Sequence, residues 1–379
     1  MPQPSKTLQT RLDSVRTALL AGRLDEARRT VSRLMISEPP TLEIFLYGGA
    51  ICLRQFDYPG ALGYYEKAFR LQFGTSTKKP NNPACSRARL QHDIEQLNYL
   101  QAGNLLEPAR AGTVSAYEAL LDHALRHPET NGLFGLSEQL LKQVPDYNKA
   151  IHIYVPKEVH GPILNPELDF DRIEEEYFAR QNECTFIDHL LMPDVLQELR
   201  RQCLESRFWF DTYKNGYVGV NLERGFSSKL VFRIASDLQE KFPRMIGRLP
   251  LTAAWALKYQ QRLPGTGCHA DSARTNINFW ITPDEANLDP GGGGLVVYNL
   301  EPPREWRYQE YNGPEQQLQE FANQHPNTAV RVPYKCNRGV FFNSKYIHKT
   351  DAFDFRPGYA NRRINVTFLF GDPLDPGAG

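Results

Sequence analysis

His269-Ala-Asp271 sets an imidazole and a carboxylate two residues apart, just after the turn Pro264–Gly267 and just before a strongly apolar segment. Residues i and i+2 of an extended chain point to one face, so both side chains can reach one ion. His348 follows Gly339-Val-Phe-Phe-Asn-Ser344, a predicted strand with a polar exit. Two histidines and one carboxylate can hold a divalent iron on one face and leave the opposite face open, an arrangement suited to oxygen chemistry.

The chain carries its own control for this motif. His127-Pro-Glu129 has the same spacing but closes a predicted helix and reads as surface. His152, His160, His189 and His325 also lack a strand context. The run Arg362 to Phe370 alternates: Arg363, Asn365, Thr367 and Leu369 share one face, and Ile364, Val366, Phe368 and Phe370 the other. An arginine on the polar side of a buried strand needs an anion, and its guanidinium fork matches a carboxylate. Thr367 can add a hydroxyl. Arg362, on the opposite face, reads as a structural ion-pair residue. In Thr275–Ile281, Asn276 and Asn278 share a face with Trp280. Two core-facing amides need partners, either a bound ligand or neighbouring backbone. Gly291–Gly294 precedes a strand and lacks a following Lys-Ser/Thr, so it reads as a turn rather than a phosphate loop.

Taken together, residues 184–371 resemble the prolyl-hydroxylase-like branch of the Fe(II)/2-oxoglutarate oxygenases. The matching positions are His269-x-Asp271, the glycine run into Leu295-Val-Val-Tyr298, Asn337-Arg-Gly-Val-Phe-Phe342, His348, and Arg363 with Thr367 four residues on. The resemblance implies iron held by His269, Asp271 and His348, and 2-oxoglutarate held by Arg363 with help from Tyr259, Asn278, Asn276 and Thr367. It implies O2 as co-substrate and ascorbate as a possible reductant. The reaction it implies is hydroxylation of a C–H bond with release of succinate and CO2. Related halogenases replace the carboxylate with a small residue, so Asp271 favours hydroxylation; desaturation and ring chemistry stay open. The chain departs from the pattern in the long gap between His348 and Arg363, where 351–361 must loop out and Arg356 becomes a competitor.

The elements that must position these residues divide the chain in two. Residues 8–75 read as helix pairs. Ala27, Val31 and Leu34, then Ala61, Tyr65 and Ala68 thirty-four residues on, repeat a small–large spacing similar to tetratricopeptide repeats, with a degenerate copy at 111–128. From 184 onward, predicted helices at 193–206 and 227–242 precede many short strands, the pattern of a jelly roll. The expected fold class is α+β: tetratricopeptide-like repeats over 1–130, a connector over 131–180, and a double-stranded β-helix with flanking helices over 181–379. The acidic stretch Asp169–Glu176 reads as a solvated face. The aromatic segments 208–226 and 304–312 read either as lids or as core.

With 379 residues, 41% of them hydrophobic, the chain can build real cores. Lys+Arg and Asp+Glu balance at 44 each, so no broad field favours nucleic acid or a membrane surface. The six cysteines have no paired spacing and read as reduced thiols. No leader or spanning segment is legible, and a cytoplasmic protein is expected. A peptide or protein substrate is the leading expectation, because helical repeats stack into concave surfaces. The alternative is a small-molecule hydroxylase whose helices serve a homodimer or another protein partner. A non-catalytic repeat scaffold is the third class.

Overall fold

The computed structural model describes residues 6–76, 84–110, 112–127, 132–180, 183–213, 216–303, 305–306 and 315–372. The first half is helical: α1 (Lys6–Leu20), α2 (Leu24–Ser37), α3 (Leu42–Arg54), α4 (Tyr58–Phe73), α5 (Arg87–Ala102), α6 (Thr113–Leu125), α7 (Glu138–Gln143) and α8 (Phe170–Ala179), with a two-residue pairing of β1 (Ala84–Cys85) and β2 (Phe134–Gly135). The second half holds β3 (Cys184–Ile187), α9 (Pro193–Glu205), β4 (Asp211–Thr212), β5 (Tyr217–Asn221), α10 (Lys229–Lys241), β6 (Leu251–Tyr259), β7 (Arg262–Leu263), β8 (Thr275–Trp280), β9 (Leu295–Tyr298), α11 (Glu315–Asn323), β10 (Ala329–Val332), β11 (Gly339–Asn343), β12 (His348–Thr350), β13 (Phe353–Asp354) and β14 (Ile364–Phe370).

The strands form an antiparallel jelly roll. A seven-stranded sheet runs β3-β11-β8-β14-β6-β5-β4, and a three-stranded sheet runs β10-β9-β12. The class is therefore α+β, helices first and a double-stranded β-helix after them. Alternation sorts the large sheet's two faces. Ile277, Phe279, Ile364, Val366 and Phe368 join one core with α9 and α10. Trp280, Tyr259, Val340 and Phe342 join a second core with Leu295 and Val297 of the small sheet. The cavity lies on this second, inner side. The segment 351–361 does not simply loop out: β13 pairs with β7, and Tyr359 is buried in the helix-side core.

The helical half is built onto this sheet. Gly48 and Gly49 let α3 lie close on α4; a Cβ at Gly49 would sit 2.2 Å from the Tyr65 ring. Ala27, Val31 and Leu34 of α2 are buried, as are Ala61, Tyr65 and Ala68 of α4. Cys52, Leu53, Ala61 and Tyr65 belong to the same core as the sheet. In the third expected copy, α6 packs on α5 and buries Leu120, while Pro128 lies outside the described residues. The acidic stretch is a helix, α8, not a solvated face throughout. Glu174 is 1% exposed and its carboxylate accepts from the backbone N–H of Arg244 and Met245 at 2.8 Å each.

Helix α5 buries Leu90, Leu97 and Leu100 on one side and an unusual polar set, Arg89, His92, Asp93 and Gln96, beside them. Burial alone would raise the Asp93 carboxyl, but Arg207 and Arg89 hold it well below the ordinary range. Arg89 donates to Asp93 at 2.8 Å, and Arg207 lies 3.1 Å from its other oxygen. Gln96 donates to the Ser206 carbonyl at 2.8 Å. Glu95 takes Arg362 in a two-point pair at 2.7 and 3.0 Å. Arg362 is thus the structural ion-pair residue expected from its face of the strand.

Lys258 is fully buried on the helix side of β6, over the Trp209 and Tyr359 rings. Burial drives its ammonium pKa well below the usual value. Folding then releases a proton below the unfolded value, so this site destabilises at neutral pH and stability rises as pH rises. Its partners have other bonds. The Cys203 carbonyl also accepts from Trp209, and the Tyr359 hydroxyl donates to the Leu204 carbonyl. Lys258→Met should therefore hold or raise Tm at pH 7, with the difference from the wild type shrinking by pH 9. Thermal unfolding at both pH values checks this; a loss of more than about 3 °C at both would contradict it.

Candidate metal centre and its cavity

The centre is assembled by backbone pairing between two segments distant in sequence. His269 and His348 exchange N–H···O=C bonds at 3.0 and 2.8 Å, and the Asp271 N–H donates to the Ser344 carbonyl at 3.1 Å. The turn before His269 needs glycine. Gly265 has φ +101°, and a Cβ there would meet the Thr350 carbonyl oxygen at 2.4 Å. This close approach seats the 264–268 turn against β12.

His269, Asp271 and His348 offer ligand atoms that all lie within 4.8 Å of one another. Nδ1 of His269 faces the Gly267 carbonyl at 3.1 Å, and Nδ1 of His348 faces the Tyr346 carbonyl at 2.9 Å. A carbonyl only accepts, so both protons sit on Nδ1 and both Nε2 lone pairs are free for a cation. His348 Nε2 lies 3.3 Å from an Asp271 oxygen. Burial, then the neighbouring His348, lowers the His269 pKa, so the imidazole stays neutral. Burial would raise the Asp271 carboxyl, but its neighbours, with the Asn276 amide donating at 2.6 Å, hold it below its ordinary value. A neutral imidazole at His269 beside an ionised Asp271 suits a divalent cation. The control motif's His127 bonds its own helix through the His123 carbonyl and is exposed, as read from the sequence.

A ladder of amides backs the carboxylate. Asn276 donates to Asp271 Oδ2 at 2.6 Å, and Asn278 donates to Asn276 Oδ1. Asn365 and Thr367 each donate to Asn278 Oδ1 at 2.8 Å. The register explains this, since Asn278 lies opposite Thr367. The expectation that Asn276 contacts a cosubstrate needs correcting. Its amide is engaged on both sides, it is fully buried, and it does not line the cavity. Asn278, Thr367 and Tyr259 do line it.

Arg363 is fully buried within an aromatic box. Its guanidinium carbon lies 4.9 Å from the Tyr259 ring centre and 5.4 Å from that of Phe353, with Trp280 and Tyr334 beyond. Nε donates to the Gly293 carbonyl at 2.8 Å and Nη2 faces the Gly294 carbonyl at 3.4 Å. Nη1 is buried without a partner. The glycine run is a turn into β9, as expected. A Cβ at Gly294 would fall 1.8 Å from the Val332 carbonyl oxygen, so only glycine brings these carbonyls under the arginine. Arg356, the sequence competitor, is exposed.

The cavity holds about 480 Å³, in the range of small-ligand sites. Besides the three ligands it exposes Trp255, Tyr213, Tyr217, Asp211 and Asn221. Of the two aromatic segments expected as lid or core, 208–226 does both: Phe208, Trp209 and Phe210 are core, while Tyr213 and Tyr217 line the cavity. In 304–312, Trp306 packs against Phe321, and Tyr308 and Tyr311 lie outside the described residues. Asp211, Asn221 and the backbone carbonyls under Arg363 and the histidines carry no sequence signal; only the fold identifies them. Among the described residues, no helix is long and apolar enough to cross a membrane.

No family model and no curated protein sequence matches the chain. Among solved structures, it is similar to the non-heme alpha-ketoglutarate-dependent carbocyclase SnoK of nogalamycin biosynthesis, at 13% identity and a TM-score of 0.40, over 57% of this chain and 92% of SnoK. It is also similar to HygX from Streptomyces hygroscopicus, seen with nickel and 2-oxoglutarate, at 13% identity and 0.37, over 53% and 87%. A Pseudomonas putida prolyl-4-hydroxylase aligns at 11% identity and 0.34, over 54% and 98%. At such distance, the chemistry rests on the residues themselves.

Asn276→Ala removes the donor that fixes Asp271. Cobalt(II) titration should show metal affinity reduced about 10- to 100-fold, the usual cost of losing such a partner. Unchanged affinity would mean that Asp271 is held by the backbone alone.

Proposed function

We propose that the protein is an Fe(II)- and 2-oxoglutarate-dependent oxygenase that hydroxylates a C–H bond of a small molecule. The observation that carries this reading is the pairing of two unlike sites on the inner side of the two sheets. One is a triad of two histidines and a carboxylate open to a cavity. The other is a fully buried arginine whose Nη1 has no partner. An unpaired buried guanidinium N–H is costly unless a ligand completes it, and a carboxylate is its best match.

His269, Asp271 and His348 would hold the iron, and Arg363 the far carboxylate of 2-oxoglutarate. When bound, that pair supplies oxidative decarboxylation to succinate and CO2 coupled to oxygenation of a substrate C–H bond. The chain's own residues supply the rest. The Gly267 and Tyr346 carbonyls hold the ligand protons on Nδ1. The Asn276–Asn278 ladder orients Asp271. The Gly293 and Gly294 carbonyls aim Arg363, and its aromatic box excludes water. Tyr259, stacked on that guanidinium, lines the cavity on the same side.

A small molecule is favoured over a peptide by the role of the helices. Cys52, Leu53, Ala61 and Tyr65 of α3 and α4 are spent in the core shared with the sheet, and α5 is tied to Arg207 and Arg362. The helical half thus buttresses the catalytic sheet.

Succinate release from 2-oxoglutarate should need added Fe(II) and be lost in His269→Ala. Arg363→Ala should raise the 2-oxoglutarate half-saturation about 30-fold or more, the cost of removing one partner of a buried charge pair. Arg356→Ala should leave it unchanged. A reversed order for the two arginines would overturn the assignment of the cosubstrate site.

A further inference from the structure

The inner face of the large sheet carries polar residues well away from the metal triad, at its β5–β4 edge. Asn221 sits opposite Trp255, and Asp211 opposite Gly219, whose next neighbour is Leu257 and then Asn365. From Asp211 to the Asn365 column is three strand spacings, about 14 Å along the curved sheet. Asp211, Asn221, Trp255 and Tyr213 all line the cavity that also holds the metal ligands.

This end of the cavity is rich in acceptors and poor in donors. Asn221 Oδ1 is buried without a partner. Asp211 is braced from behind: Arg224 lies 2.6 Å from Oδ1, while Arg224 itself packs on the Phe73 ring and donates to Gln72 at 3.2 Å. Neighbouring Glu223 is a second carboxylate that interacts with Arg224, and Asp211 also feels Arg89. Burial pushes the Asp211 carboxyl up despite Arg224 and Arg89, and its second oxygen has no cationic partner among the described cavity-lining residues. No residue lining the cavity among those described is a lysine or an arginine.

Aromatic faces complete the surroundings. Tyr213 stacks on Tyr217 with ring centres 4.5 Å apart, and Tyr217 lies 5.1 Å from Tyr259. Gly219 makes room for this, since a Cβ there would meet the Tyr213 ring at 2.9 Å. A carboxylate, a free amide oxygen and aromatic faces together suit a cation that also donates hydrogen bonds.

Resting on the oxygenase reading above, we infer that the substrate carries a protonated amine, which Asp211 and Asn221 hold against the Tyr213 and Trp255 rings while its C–H bond faces the metal triad. A neutral hydroxyl would satisfy Asn221 but not the charge. An anionic group would meet Asp211 without a countercharge on the cavity wall. The substrate class is thus an amine-bearing small molecule long enough to span from the β4–β5 edge to the triad.

The probes are n-butylammonium, n-butanol and butyrate, titrated by calorimetry into the full-length protein loaded with Fe(II) and 2-oxoglutarate without oxygen. The ammonium should bind at least 10-fold more tightly than the alcohol, and butyrate should not bind. Asp211→Asn should remove most of that preference, and Tyr213→Leu, at a 38% exposed position, should weaken it a few-fold. Equal binding of alcohol and ammonium to the wild type would overturn the inference, as would an Asp211→Asn protein that keeps the preference. If Asp211→Asn does not fold, the wild-type series and Tyr213→Leu decide. Succinate release by the wild type, measured in parallel, separates the two ideas. Ammonium preference without iron-dependent succinate sinks the oxygenase reading alone; succinate without the preference sinks the amine site alone.

Discussion

The two-way backbone bond between His269 and His348 is the constraint on which the rest depends. It joins the segment before β8 to β12, residues almost eighty positions apart in sequence, and puts their imidazoles side by side with ring centres 4.3 Å apart. Everything nearby serves that pairing. Gly265 lets the preceding turn touch the backbone of β12, Ser344 accepts the Asp271 N–H, and two carbonyls fix the histidine tautomers. A shift by one residue would turn a ligand to the opposite face, because strand side chains alternate. The register of β8 against β14 and β11 therefore fixes the centre as much as the ligands do.

The second constraint is electrostatic, and it explains why the helices are there. The strand pair β6–β14 carries Lys258, Arg362 and Arg363 at one end, and all three are buried or nearly so. Buried charges persist only with partners or with strong solvation by other groups. Arg362 finds Glu95 on α5 and Arg363 finds glycine carbonyls and rings, whereas Lys258, with only a carbonyl, a hydroxyl and two aromatic faces, is pushed toward its neutral form. Arg207, in the segment leading to β4, meets Asp93 on the same helix. Helix α5 thus neutralises charges that the sheet presents, one of them adjacent to the residue proposed to hold the cosubstrate.

Legibility from sequence tracked the kind of signal each part leaves. Strands β8, β11 and β14 were readable because period-two alternation sorts their residues between two cores. The triad was readable because its residue types are chemically narrow and its strand contexts differ from that of His127. Helix α5 leaves only a weak trace, since Arg89, His92, Asp93 and Gln96 share its buried surface with Leu90, Leu97 and Leu100 and blur the apolar period. The acidic run of α8 misled for a related reason: Glu174 is buried as a backbone acceptor, a role that composition cannot reveal. Asn276 was placed on the correct face but given a ligand contact, whereas its partner is Asp271, a distinction that depends on side-chain direction. The segment 208–226 is legible as aromatic-rich, but not which of its residues reach the cavity, because β4 is only two residues long and its neighbours come from elsewhere in the chain.

The central claim is that one iron, held by His269, Asp271 and His348, is chelated by 2-oxoglutarate in this cavity. The most direct measurement is the visible spectrum of the Fe(II)-loaded protein as 2-oxoglutarate is added without oxygen. A weak metal-to-ligand charge-transfer band that saturates with one cosubstrate per chain, and that is absent in His348→Ala, is the predicted result. No band in the wild type, or the same band in His348→Ala, would contradict the account.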